Sequence, residues 1–215
     1  MDPIASGRDA DVFALDETTV LRRYRTPQKH CEPEAMTMRW VHGLGFPVPK
    51  VHSAAGRDMV LDRVHGPTMR ESVVAGAMTA EDGGRLLADL HRRLHTLPPP
   101  HGGGADTVRH LDLHPDNVIM SPAGPVVIDW RNSDVGPPAV DVALTAVILA
   151  QVALSPRPDA PAARGILSSY LAAAGPLSTS GLDQAMAYRS ADRNATSAEL
   201  DLLRRLPETL LTEVT

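Results

Sequence analysis

β-favouring residues gather at Val12 and Phe13 and again at Val20, Leu21 and Tyr24, on either side of a polar turn at Asp16 and Glu17. This pattern predicts two strands, over residues 7–14 and 18–24. In the second strand the period of two puts Val20 and Arg22 on one face and Leu21 and Arg23 on the other. The pattern then changes to helical spacing over 33–43, where Ala35, Met38 and Val41 form an apolar row. Pro33 suits the first turn, Glu34 complements the helix dipole, and Gly43 and Gly45 end the element. Prolines hold 46–51 extended, and an apolar run over 59–64 reads as a further strand, broken by His65, Gly66 and Pro67.

Helices dominate thereafter. Thr79 to Asp82 resembles a capping box and opens a helix to about Leu97, with Leu86, Leu87, Leu90, Leu94 and Leu97 on one face. His91 and His95 are four apart on it, a spacing that permits metal binding, but without a further ligand on that helix they read as partly buried structural histidines. A loop follows over 98–104. Two short apolar strands are predicted at 118–120 and 126–128, then a loop at 132–138 and an apolar helix at 139–154. A proline-rich link (155–161) leads to helices near 162–173, 182–192 and 196–213, with Pro207 kinking or splitting the last.

The chain has 215 residues, 43% hydrophobic and 22% charged, enough to bury a proper core in one domain or two small lobes. A net charge of -5 argues against a nucleic-acid binder, since phosphate backbones are held by clustered Lys and Arg, and only Lys29 and Lys50 are lysines. Cys31 is the single cysteine, which excludes an intramolecular disulfide and favours a reducing compartment. The N-terminal residues have no basic or apolar signal-peptide regions. The longest apolar run, 139–154, carries Asp141 and Gln151, so a buried helix is expected there and no membrane span. A cytoplasmic location is expected.

Chemistry concentrates in His110-Leu111-Asp112-Leu113-His114-Pro115-Asp116-Asn117 and, after the two short strands, in Asp129. Transfer of a terminal phosphoryl group needs one carboxylate to orient and deprotonate the incoming hydroxyl, and oxygen ligands for magnesium. Asp112 suits the first role, and Asn117 and Asp129 the second. A hairpin of the two strands would hold Asn117 and Asp129 side by side. His110, Asp112, His114, Asp116 and Asp129 also contain enough ligands for a metal-dependent hydrolase. A purely structural reading, with Asp112 and Asp116 capping turns, is the third possibility.

The Asp112/Asn117 spacing with the later Ile128-Asp129-Trp130 resembles the catalytic and metal-binding loops of the aminoglycoside phosphotransferase and choline kinase-like family, small-molecule kinases built on the protein-kinase fold. The resemblance runs through most of the chain in order. It implies an α+β, two-lobed fold, with a nucleotide-binding lobe over 1–62 and a mostly helical catalytic and acceptor-binding lobe over 63–215. It implies ATP and Mg2+, with Ser6 and Gly7 in the nucleotide-covering loop (residues 6–12), Arg22 at the phosphate-binding position and Glu34 as its partner. Backbone groups of Asp62 and Val64 would meet the adenine. Asp112 would be the base, His110 would orient the loop by hydrogen bonds, Asn117 and Asp129 would hold the metal, and Asp141 would buttress the catalytic loop. The implied activity is phosphoryl transfer from ATP to a hydroxyl of a small metabolite or antibiotic. Three features depart from the family: Arg22 replaces the usual lysine, the nucleotide loop is short of glycines, and the chain is compact. Because guanidinium and ammonium are not equivalent, a catalytically weak or dead nucleotide-binding protein is the alternative. Eight acids and six arginines over 136–215 lean away from a polycationic aminoglycoside acceptor, and 3% aromatic residues lean away from a choline-type cage.

Overall fold

In a computed structural model the chain is described over residues 2–7, 9–101, 104–191 and 201–203. The N-terminal part is a five-stranded antiparallel sheet of order β1-β2-β3-β5-β4. Its strands are β1 (Ala5–Ser6), β2 (Ala10–Ala14), β3 (Thr19–Tyr24), β4 (Val51–Ala55) and β5 (Asp58–Asp62), with helix α1 (Glu32–Gly43) between β3 and β4. Asp16 makes the β2–β3 turn by accepting hydrogen bonds from the backbone and hydroxyl groups of Thr18 and Thr19. The alternation along β3 holds: Val20 and Tyr24 are buried and Arg22 lies between them on the same face. Arg23 points the other way and forms a two-bonded pair with Asp58 of β5 at 2.7 and 2.6 Å. Helix α1 buries Glu34, Ala35, Met38 and Val41.

The link from β5 passes Gly66, whose φ of 148° is closed to most side chains, and a Cβ there would lie 2.2 Å from the Met120 carbonyl oxygen. A short helix, α2 (Met69–Val74), follows, absent from the sequence expectation. Its capping box was legible as Thr68-x-x-Glu71, and both hydrogen bonds form. Six residues are too few to show a helical period. Helix α3 (Ala80–His95) buries Leu87, Leu90 and Leu94, while Leu86 and Leu97 are only partly buried.

Strands β6 (Thr107–Arg109), β7 (Val118–Ser121), β8 (Gly124–Val127) and β9 (Asp134–Gly136) make two antiparallel pairs, β7 with β8 and β6 with β9. The β6–β9 pair corrects the expected loop at 132–138. A three-residue strand is too short to alternate visibly, and its partner lies far off in sequence. Helices α4 (Pro138–Leu154), α5 (Ala160–Ala174) and α6 (Thr179–Ser190) complete the described elements. The expected helix over 196–213 falls outside the described residues except at 201–203, which are helical; Asp192, Arg193, Arg204, Arg205 and Pro207 also lie outside. No helix of the described residues is long and apolar enough to cross a membrane.

Helix α4 is apolar nearly all round and is buried between its neighbours, so the core of this part lies on it. Helices α3 and α5 meet at Gly84, where an added Cβ would stand 2.5 Å from the Ile166 carbonyl oxygen and 2.6 Å from the Tyr170 nitrogen. Both are backbone atoms and cannot turn aside. Gly84→Ala is therefore expected to cost about 2–3 kcal/mol through overpacking, a fall in Tm of roughly 5–10 °C by thermal unfolding. An unchanged Tm would show that the helix pair can separate without loss.

Candidate active site

The segment from His110 to Asn117 begins where β6 ends. Its backbone is held from behind by Asp141 of α4, which is fully buried. Asp141 accepts hydrogen bonds from the amides of His110 (3.0 Å) and Leu111 (2.7 Å), and its Oδ2 lies 3.0 Å from His95 Nε2. Leu111 has a φ of 59°, a conformation that costs a β-carbon-bearing residue about 1–3 kcal/mol, and the Asp141 carboxylate fixes it there. Thr145, one turn further along α4, donates its hydroxyl to the Leu113 carbonyl at 2.6 Å. Helix α4 thus grips the loop at both sides of Asp112.

His110 is buried and pairs Nε2 with the Ile128 carbonyl at 3.0 Å, while its Nδ1 faces the Asp112 amide at 3.2 Å. These partners assign the proton to Nε2 and leave Nδ1 as acceptor. Burial holds its pKa below the ordinary histidine value, so the ring is neutral. With both nitrogens engaged by backbone, His110 has none to offer a metal, which removes a ligand from the hydrolase reading. His110 also packs edge-on against Trp130, whose indole N–H donates to the Val127 carbonyl at 3.0 Å.

Asn117 closes a short 3-10 turn, Pro115–Asn117. Its Nδ2 donates to the Asp112 carbonyl at 2.8 Å and lies 3.2 Å from His114 Nε2. The amide nitrogen is thereby committed, which fixes the flip of the side chain and leaves Oδ1 as its ligand atom. The Ile128 amide donates to the Asn117 carbonyl at 3.0 Å, so the β7–β8 hairpin returns the chain beside Asn117. Asp129 then takes a left-handed conformation (φ 62°, ψ 64°). Oxygen atoms of Asn117 and Asp129 are donors that suit a hard divalent cation such as magnesium.

Arg22 reaches this point from β3. One arm of its guanidinium pairs with Glu34 of α1, and NH2 donates to Asp129 Oδ1 at 2.6 Å. Tyr24 donates its hydroxyl to the same Glu34 oxygen at 2.5 Å, and the guanidinium sits 5.1 Å from the Tyr24 ring centre. Burial opposes the charge on Arg22, but Glu34 and Asp129 more than offset it and its pKa is raised. For Glu34 burial dominates and raises the pKa, with Arg22 acting against it. Asp112 is also raised by burial, partly countered by His114 and His110.

These groups border a cleft of about 820 Å³, whose walls include Gly7, Asp112, Asn117 and Asp129. Arg22, Glu34 and His110 stand outside that lining, the first two joined to the cleft through Asp129. Ser6 does not line the cleft, and its hydroxyl is bonded to Asp11 at 2.8 Å. Asp62 ends β5 with its amide donated to the Lys50 carbonyl at 3.0 Å, and Val64 follows outside regular structure; neither lines the cleft.

Several participants were invisible in the sequence. Asp9, in the loop before β2, pairs with Arg131 and with Lys29, tying that loop to the segment after Asp129. Tyr24 signalled only a strand. The third ligand that would make His91 and His95 a possible ion site comes from α4 as Asp141, and this is the one such group of three among the described residues. Asp141 is already committed there to the loop amides.

The sequence model of the phosphotransferase enzyme family matches residues 1–107 and 103–178. No curated protein matches in sequence. Among solved structures, aminoglycoside phosphotransferase APH(3'')-Id from Streptomyces rimosus is 18% identical, with a TM-score of 0.62 over 94% of this chain and 92% of that one. A thermostable mutant of aminoglycoside phosphotransferase APH(4)-Ia is 12% identical, with a TM-score of 0.66 over 98% and 94%. An amicoumacin kinase in complex with AMP-PNP, Ca2+ and Ami is 12% identical, with a TM-score of 0.61 over 97% and 87%. The fold is therefore that of these protein-kinase-like enzymes, α+β as expected.

Proposed function

Because this chain belongs to the phosphotransferase enzyme family, we propose that it transfers the γ-phosphoryl group of ATP to a hydroxyl of a small molecule. The observation that supports this most directly is the cleft that Asp112, Asn117 and Asp129 share, with the Asn117 amide bonded to the Asp112 carbonyl. Asp112 accepts the proton of the incoming hydroxyl as its oxygen bonds to the γ-phosphorus. The bond from that phosphorus to the bridging oxygen breaks, and ADP departs with the electron pair. Asn117 and Asp129 would hold magnesium, which would neutralise charge on the phosphates. Arg22, positioned by Glu34 and Tyr24, contributes a fixed cation where the phosphates lie. Ser6 and Gly7 belong to the covering loop, and the backbone of Asp62 and Val64 to the adenine side. His110 fixes the orientation of the Asp112 loop and does not titrate in the reaction.

The test is ATP binding by calorimetry, with and without magnesium, in the wild type and in Asp129→Ala. Affinity is expected to fall at least about tenfold when either magnesium or the Asp129 carboxylate is removed. An affinity indifferent to both would sink this reading.

The Arg22–Asp129 bond also fits the alternative of an inert nucleotide-binding protein, and Arg22→Lys separates the two. Lysine keeps the charge beside Glu34 but cannot bond Glu34 and Asp129 through one planar fork. Under the proposed reading the exchange preserves or raises ADP formation, measured in a coupled steady-state assay. Complete loss would show that the fork itself is needed, and no activity in either protein would favour the inert alternative.

A further inference from the structure

The part of the cleft beyond Asp112 is lined by α2, α4, α5 and α6, and among its described residues the charges follow a definite pattern. Arg70, Arg157 and Arg189 lie on this side, with Asp116 and Asp159. Both carboxylates are already bonded. Arg70 donates to Asp116 at 2.6 Å and lies 3.8 Å from Asp159. Arg157 engages Asp159 through two bonds of 2.8 and 2.7 Å. Arg189 donates to Gln151 at 2.8 Å. The apolar surface open between these groups comes from Val73, Val152 and Tyr188, with Leu144, Ile148 and Ile166 buried behind it.

Each ammonium group of a polycation needs a carboxylate in exchange for its water, or it loses hydration without return. Apart from the Asp112 carboxylate, which the proposed reaction keeps for the hydroxyl proton, such a ligand meets among the described residues three guanidinium groups and two carboxylates whose oxygens are already shared with Arg70 and Arg157. A ligand with an apolar face gains from the apolar surface, and its hydroxyls find donors and acceptors in the surrounding ion pairs. We propose that the hydroxyl acceptor is an amphipathic molecule carrying at most one charge, seated with its apolar face against Val73, Val152 and Tyr188, and that polycations are excluded. This deepens the phosphotransferase reading and rests on it.

Two measurements decide the matter. In the first, a tetra-ammonium aminoglycoside and spermine are titrated into the protein saturated with AMP-PNP and magnesium, at physiological salt. Weak binding is expected, with Kd of about 1 mM or more, and Arg157→Glu should tighten it at least about tenfold by freeing Asp159 and adding a carboxylate. Arg157 is exposed, so this variant is expected to fold. In the second, ADP formation is compared across hydroxyl compounds graded from no ammonium group to four. The highest kcat/KM is expected among compounds with none or one, by a factor of about ten or more. Micromolar binding of either polycation, unaltered by Arg157→Glu, overturns the proposal. So does a best acceptor bearing two or more ammonium groups. If no compound is turned over, the titration alone decides. Magnesium-dependent ATP binding, measured on the same protein without acceptor, reports separately on the phosphotransferase reading.

Discussion

Asp112→Asn is expected to lower phosphoryl transfer by about 10²- to 10⁴-fold, the usual worth of a positioned general base. The exchange is nearly isosteric and leaves the Asp112 carbonyl, which receives the Asn117 amide, unchanged. ATP affinity should therefore stay within about twofold, and the loss should appear in kcat. The measurement is ADP formation with acceptor, or slow ATP hydrolysis without it, alongside the ATP Kd. Retention of more than about a third of wild-type kcat would remove Asp112 from the role of base. The pH dependence adds a second readout. Burial raises the Asp112 pKa, and the base acts only when deprotonated. Activity should thus fall on acidification at a pH above the ordinary aspartate range. The asparagine variant should lack that limb, because it has no carboxylate to protonate.

The largest expected effect on stability is that of Asp141→Ala. It leaves the amides of His110 and Leu111 and the ring of His95 facing a buried space without their acceptor. Removing one partner from such a buried charged network costs about 3–5 kcal/mol, a fall in Tm of roughly 6–20 °C for a chain of this size. Activity should suffer as well, since Leu111 keeps its strained φ only while the carboxylate holds it. Burial on its own would raise the Asp141 pKa, but His91 and His95 opposite it bring the carboxyl well below the ordinary value. A folded-state pKa below the unfolded one gives stability that is present above the unfolded value and lost as pH falls through the folded one. The Tm gap between wild type and variant should therefore be constant from about pH 7 to 5 and shrink only below about pH 4. A gap that closes already near pH 6 would assign the effect to the histidines.

The sequence carried the fold wherever a pattern was long enough to repeat. The alternation of β3 placed Arg22 inward between Val20 and Tyr24, and the heptad-like leucines of α3 placed that helix in the core. Among the short elements β6, β9 and α2 escaped, because three residues complete no visible strand alternation and six no second helical turn, whereas β7 and β8 showed as apolar runs. At the site, the spacing of Asp112, Asn117 and Asp129 was legible because the hairpin between them is local. Of the supports, only Asp141 was read from the sequence, through the family resemblance, as a buttress of the loop, and it does bond the His110 and Leu111 amides. Tyr24 holding Glu34 and Arg131 holding Asp9 are each joined only by the folded chain, and a single sequence has no signal for such pairs. Arg70, Arg157 and their two aspartates showed as a near balance of charge and nothing more, since balance in composition does not say which carboxylates are already taken.

The bond between Arg22 and Asp129 bears on the order in which ligands arrive. A free divalent ion approaching Asp129 competes with a guanidinium 2.6 Å away on the same oxygen, and two cations repel. A nucleotide brings phosphate oxygens that offer the guanidinium another partner and so release the carboxylate. On the proposed reading, metal and nucleotide would then enter together, because the arginine at position 22 holds an Asp129 oxygen until phosphate oxygens take that oxygen's place at the guanidinium.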